Sequence, residues 1–168
     1  MAERKTIKKW FWVWEFEKEE IWLNAMAQSG GLLDGLGFCK YHFVACEPGT
    51  YNIRLEMREY DEEYLEFMAQ TGAEYVGRMV KWIYFRKKVE DGPFDLFSDL
   101  DSRIRHLDRI GKMLNGITLA NFANGVGKSI SAIPIAGEKL LCASLLTYCL
   151  GRIHEKKDAR EQNRLLIE

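Results

Sequence analysis

Long hydrophobic runs are missing from this chain. The most apolar stretch, Leu-Leu-Cys-Ala-Ser-Leu-Leu-Thr-Tyr-Cys-Leu, is about eleven residues long, and a bilayer span needs roughly 20. Charge of one sign is missing too. The 24 Lys and Arg nearly balance the 25 Asp and Glu, for a net charge of −1, so nothing overall favours a nucleic acid or a cationic partner. Histidine is scarce. His42, His106 and His154 lie far apart, and none has a second His or a Cys at zinc-ligand spacing. No C-x-x-C pair exists among Cys39, Cys46, Cys142 and Cys149, which removes the usual zinc and redox signatures. The start, Met1-Ala2-Glu3-Arg4-Lys5, has no apolar core of an export signal, so free structural thiols in a reducing compartment are expected.

Catalytic signatures are equally thin. Gly127-Lys128-Ser129 imitates the end of a phosphate-binding loop, but Phe122 stands where that loop needs glycine. The acidic runs Glu17-Lys18-Glu19-Glu20 and Asp61-Glu62-Glu63 have a sufficient cause in helix starts, where negative charge meets the positive end of the helix dipole. Ser29-Gly30 and Ser98-Asp99 read as helix punctuation rather than nucleophile elbows. No cofactor and no metal is expected.

Aromatic residues are abundant: five Trp, seven Tyr and nine Phe. Trp10, Trp12, Trp14 and Phe16 alternate with Phe11, Val13 and Glu15, the period of a strand, which predicts a first strand over residues 9–16. A helix follows through Ile21, Trp22, Ala25 and Met26 and stops at Ser29-Gly30-Gly31. Residues 37–46 predict a second strand and residues 51–58 a third, its apolar face Tyr51, Ile53, Leu55 and Met57. Asp61 caps a second helix that ends near Gly72. Residues 78–86 predict a fourth strand.

The order is β-α-β-β-α-β, and its halves echo each other. Met26-Ala27-Gln28-Ser29-Gly30 returns as Met68-Ala69-Gln70-Thr71-Gly72. The expected fold is therefore α+β: a ferredoxin-like βαββαβ sandwich over residues 1–90, one antiparallel sheet with both helices on one face. Asp91-Gly92-Pro93 marks a boundary. Residues 91–168 predict a helical hairpin. Ser98 or Asp99 would cap its first helix, and segments near 109–126 and 130–153 are the candidates for membrane association. Glu138-Lys139 and the polar Asn121 and Asn124 work against full spans.

At this point the residues resemble a known group. The run Trp10-Phe11-Trp12-Val13-Trp14-Glu15-Phe16, Glu47-Pro48-Gly49 before Tyr51, Glu63-Tyr64-Leu65, Trp82-Ile83-Tyr84-Phe85-Arg86-Lys87 and Phe97-Ser98-Asp99 are similar to motifs of the bacterial domain-of-unknown-function 2812 family. The resemblance implies a cytoplasmic domain followed by a pair of membrane helices, a gene neighbourhood with PadR-type transcriptional regulators, and no catalytic residues to carry over.

A sheet face bearing Trp10, Trp12, Trp14, Trp82 and Tyr84 would be the interaction surface, because large apolar side chains do not stand uncovered without a reason. The leading expectation is a non-enzymatic accessory at the inner (cell) membrane, sensory or regulatory, with membrane lipid and a protein partner or second copy as its contacts and no direct nucleic-acid binding. The alternative is a soluble, dimeric ferredoxin-like ligand-binding domain or cofactor-free enzyme that uses the Trp-rich face, with His42 or Tyr84 as a polar handle.

Overall fold

The computed structural model describes residues 4–96, 100–127 and 133–165. The chain divides into two compact units, residues 1–96 and 97–168.

The first unit is α+β and holds six strands: β1 (Lys5–Lys8), β2 (Gly31–Gly37), β3 (Lys40–Ala45), β4 (Tyr51–Met57), β5 (Ala73–Met79) and β6 (Trp82–Lys88), with helices α1 (Phe16–Gln28) and α2 (Glu62–Gln70). They form two three-stranded antiparallel sheets, ordered β1-β3-β2 and β4-β6-β5. The expected single four-stranded sheet is corrected on this point: β-α-β-β occurs twice in succession.

The duplication is close. Both helices end alike: Ser29 and Thr71 bond back through hydroxyl and amide to the carbonyls of Met26 and Met68. The following Gly30 and Gly72 take positive φ values of 88° and 82°, a conformation open to glycine without a Cβ penalty. Both hairpins then carry a bulge at the same place, between Leu33 and Gly35 and between Tyr75 and Gly77. All these features recur forty-two positions apart. The leading strands recur forty-nine apart, because Phe43 faces Lys5 and Phe85 faces Arg54. The extra residues of the first repeat lie in a longer strand-to-helix connection, residues 9–15 against 58–61, and in an added first turn of α1.

That connection holds the indoles placed on a strand by their alternation. Pairing stops at Lys9, whose amide donates to the Cys39 carbonyl at the β2–β3 turn. Beyond that turn β3 offers no further residues to pair with. A 3₁₀ turn (Val13–Glu15) follows, closed by the Glu15 amide on the Trp12 carbonyl at 2.7 Å. In an extended strand alternate residues stand about 6.6 Å apart. The Trp12 and Trp14 rings stack at 5.0 Å, consistent with a chain that has turned.

Helix α1 lies between the two sheets. Trp22 packs edge-on against Tyr41 and Phe43 of the first sheet, while Phe16 stacks on Trp82 of the second at 5.4 Å. Asn24 and Glu20 bond the main chain of β4. Leu23, Leu33, Phe43, Ile53, Leu55 and Tyr84 are among the fully buried side chains. A further cluster of Met68, Ala73, Ile83, Phe85 and Phe94 fills the space beneath α2. Asp61 caps α2 as expected, accepting from the Glu63 amide.

The second unit is a pair of long helices, α3 (Leu100–Gly127) and α4 (Ile133–Leu165). Pro134 falls in the first turn of α4, where its missing N–H costs nothing. The helices run antiparallel: Asp108 meets Lys157 and Gly111 lies beside Ile153. The expected cap at Ser98 or Asp99 lies outside the described residues, as do Lys128 and Ser129 of the loop-like motif.

Candidate functional site

The five side chains expected on one face separate into two groups. Trp82 and Tyr84 sit on β6, the central strand of the second sheet, and are buried. They belong to the core rather than to a surface. Trp10 and Trp12 are exposed and Trp14 is half-buried. They leave the strand row expected of them and form a ladder in the connection: Trp14 stacks on Trp12, Trp12 meets Trp10 edge-on at 5.4 Å, and Trp10 meets Phe38 at 6.2 Å. Phe38, at the β2–β3 turn, is 77 % exposed and Trp10 54 %. Sequence reasoning missed Phe38; its signal was a large aromatic side chain alone in the turn Gly37-Phe38-Cys39. Phe11 points the other way, into contact with Trp22 and Tyr41, and Lys9 lies over both Phe11 and Trp22.

The added first turn of α1 supplies a second feature. Glu19 is only 6 % exposed. Its Oε1 accepts from the Tyr41 hydroxyl of the first repeat and the Tyr84 hydroxyl of the second, both at 2.7 Å. Burial pushes the Glu19 carboxyl above the ordinary carboxylate range, and the two hydroxyls pull it partly back. Burial and the neighbouring Glu19 also push both phenols up, so they remain donors. Glu20, one position on, is likewise raised by burial and offset by Arg54, whose guanidinium lies 3.3 Å away. A carboxylate gripped by two phenols joins the repeats. The arrangement ties α1 to β3 and β6 through polar contacts. Its position was readable in principle, since Glu19 falls on the Phe16, Leu23, Ala27 stripe of α1.

His42, the other expected handle, shares its ring Nδ1 with the Thr6 hydroxyl at 2.9 Å across the β1–β3 pair. Among the described residues, no group of three or more His, Cys, Asp or Glu side chains is arranged to hold a metal ion. The four cysteines are free thiols. Cys149 is buried and its thiol is raised by that burial, whereas Cys142 is exposed rather than packed.

The helix pair carries the third feature. Near one end Leu107, Ile110, Leu114, Cys149 and Ile153 are buried. Towards the α3–α4 connection the large apolar side chains Ile117, Leu119, Leu141, Leu145 and Tyr148 are exposed. Leu141, Leu145 and Tyr148 follow helical spacing and share one face of α4. Among the described residues no helix is long and apolar enough to cross a membrane, so the expected transmembrane helices are corrected. In the sequence, Lys112, Asn115, Asn121 and Asn124 dilute the apolar part of α3, and Glu138-Lys139 interrupts that of α4.

A family model described as "Protein of unknown function (DUF2812)" matches residues 15–119. No curated protein and no solved structure matches the chain.

Proposed function

The chain belongs to the DUF2812 family, and on that premise we propose that it is a non-enzymatic accessory protein that works by contact, with its helix pair entering the lipid interface at the cytoplasmic side of the cell membrane. The observation that carries this reading is the exposed apolar face of α4 at Leu141, Leu145 and Tyr148, with Ile117 and Leu119 of α3 also exposed. Apolar side chains grouped in this way mark contact sites. From Ile117 to the end of α3 at Gly127 the helix extends roughly 16 Å, about half the hydrocarbon thickness of roughly 30 Å. Glu138 and Lys139 favour shallow entry near the headgroups over a full span. The regulatory role and the link to a PadR-type regulator rest on the family resemblance. Flotation of the full chain with phosphatidylcholine vesicles tests the membrane reading. Wild type should float, and the double variant Leu141→Glu, Leu145→Glu should stay at the bottom. A wild-type chain left wholly in the soluble fraction overturns it.

A second reading has its own observation. An open groove of about 580 Å³ lies beside the first sheet, lined by Lys5, Met26, Gly31, Phe43, Val44 and Ala45. It would suit a soluble ligand-binding domain of the ferredoxin-like kind. Saturable, stoichiometric uptake of a small apolar probe, abolished by Ala45→Trp, would favour that reading.

A further inference from the structure

We propose that the end of the first sheet bearing Lys8, Lys9, Lys40, Trp10, Trp12 and Phe38 is a docking surface for an anionic phospholipid headgroup layer. This rests on the membrane association proposed above and adds the lipid class and a second point of attachment.

The charge arrangement is the first argument. Lys8 and Lys40 stand directly opposite each other in the β1–β3 ladder, and both are exposed. Like charges directly opposite on a sheet repel. None of Lys8, Lys9 and Lys40 has a carboxylate at ion-pair distance among the described residues. Lys9 is instead held over Phe11 and Trp22, with its ammonium 4.4 Å from the indole centroid. Glu15, the nearest acid in the aromatic connection, is engaged by Lys18 and by the Trp12 amide. Three exposed cations thus share this end of the first sheet without an ion pair among the described residues, and an anionic layer is the complement.

The aromatic arrangement is the second. Trp10 and Phe38 project at this same end, joined by ring contact, and Trp12 follows. Indole and phenyl rings beside lysines are the composition that sits at the boundary of headgroup and acyl chain. Single-stranded nucleic acid, which also uses lysines beside exposed rings, is the less suited partner because the chain has no basic excess, with 24 Lys and Arg against 25 Asp and Glu. Lys9, Trp10 and Trp12 lie on the connection that is longer in the first repeat than in the second, whereas Phe38 has an exposed counterpart forty-two positions on in Val80.

The test uses the full chain with vesicles of pure phosphatidylcholine and vesicles containing about 30 % phosphatidylglycerol, read by flotation and by quenching of Trp fluorescence with brominated acyl chains. A lysine near such a surface contributes about fivefold in partitioning. Wild type should therefore partition at least ~10-fold more strongly into the anionic vesicles at low salt, with the preference lost as salt rises. Lys8→Gln with Lys40→Gln should remove most of that preference and leave neutral-vesicle binding unchanged. Trp10→Ala should weaken binding to both. Wild type binding both vesicles equally overturns this proposal and leaves the hairpin reading intact; binding to neither overturns the hairpin reading as well. A preference that survives both lysine substitutions places the cationic contact elsewhere and also overturns it. So does tight, salt-sensitive binding of an oligo-thymidine strand without any vesicle response.

Discussion

Asn24 meets Ile53 as a neighbouring strand would. Its Nδ2 donates to the Ile53 carbonyl and its Oδ1 accepts from the Ile53 amide, each at 2.8 Å. The outer edge of β4 is thereby closed by a helix side chain, and Glu20 extends the closure to the Leu55 amide. Ile53 itself is buried, so its main-chain groups cannot turn to bulk water. Asn24→Ala leaves the Ile53 amide without this partner, while the Ile53 carbonyl keeps the Arg54 guanidinium at 3.2 Å, so it should cost roughly 1–3 kcal/mol. Asn24→Asp keeps the acceptor, loses the donor, and sets a negative charge against the Ile53 carbonyl, so it should not rescue the loss. Urea unfolding of both variants checks this, and a loss below about 0.5 kcal/mol for Asn24→Ala would show that the edge is held by other means.

The paired glycines give a second expectation. Gly30 and Gly72 share the same left-handed conformation, which costs an L residue about 1–2 kcal/mol. A Cβ at Gly30 would lie 3.2 Å from the main-chain oxygen of Cys46, tighter than the 3.5 Å to the Asp91 carboxylate at Gly72. The Cys46 carbonyl cannot swing away as a side chain can. Gly30→Ala should therefore lower the melting temperature more than Gly72→Ala, and asparagine at either position should cost less than alanine. Equal losses at the two sites would mean that crowding at Cys46 is relieved by movement of β3.

Those glycines also mark what the sequence made legible. The echo from Met26 to Gly30 and from Met68 to Gly72 exposed the duplication, because helix ends are specified by a few adjacent residues. β4 was readable for the same local reason, with Ile53, Leu55 and Met57 on one side. β2 was not. Its run Gly-Leu-Leu-Asp-Gly-Leu-Gly looks like turn chemistry, and Leu32 and Leu33 are both buried although adjacent. β5 was missed likewise, its bulge interrupting the alternation. The Trp run failed in the opposite sense. Its alternation is perfect, but a strand exists only beside a partner, and β3 is too short to supply one past Lys9. Glu19 looked like one more acid at a helix start, and only the packing of two repeats around α1 buries it.

That burial sets a pH dependence. The folded protein holds the carboxyls of Glu19 and Glu20 above their ordinary range, mainly through burial. In the unfolded chain both ionise near about 4.3. Above that pH the unfolded chain has released protons that the folded protein still binds, so their contribution is fully present below about pH 4. It is lost as pH rises through the folded values. Glu19→Gln keeps an acceptor for Tyr41 and Tyr84 and removes one titration. The melting temperature of wild type minus that of Glu19→Gln should fall as pH rises above about 4 and level off once the folded carboxyl has ionised. A difference that does not change with pH would mean that Glu19 ionises alike in both states.

The helix pair separates ionic from apolar contributions. Asp108 accepts from Lys157 at 2.9 Å across the pair and from Lys112 at 3.0 Å along α3, and these bonds hold its carboxyl below the ordinary range. The stability they bring is present above about pH 4 and lost as pH falls through the depressed value. The Asp108 side chain is 39 % exposed, so water and salt screen the pair. A double-mutant cycle on Asp108→Ala and Lys157→Ala should yield a coupling of about 0.3–1 kcal/mol, most of it gone in 1 M salt. Leu114→Ala removes a buried side chain from the same unit and should cost roughly 2–4 kcal/mol with no salt dependence. If the ionic coupling instead exceeded the Leu114 loss, charge rather than burial would hold α3 to α4, and the apolar face beyond Ile117 would lose its rigid base.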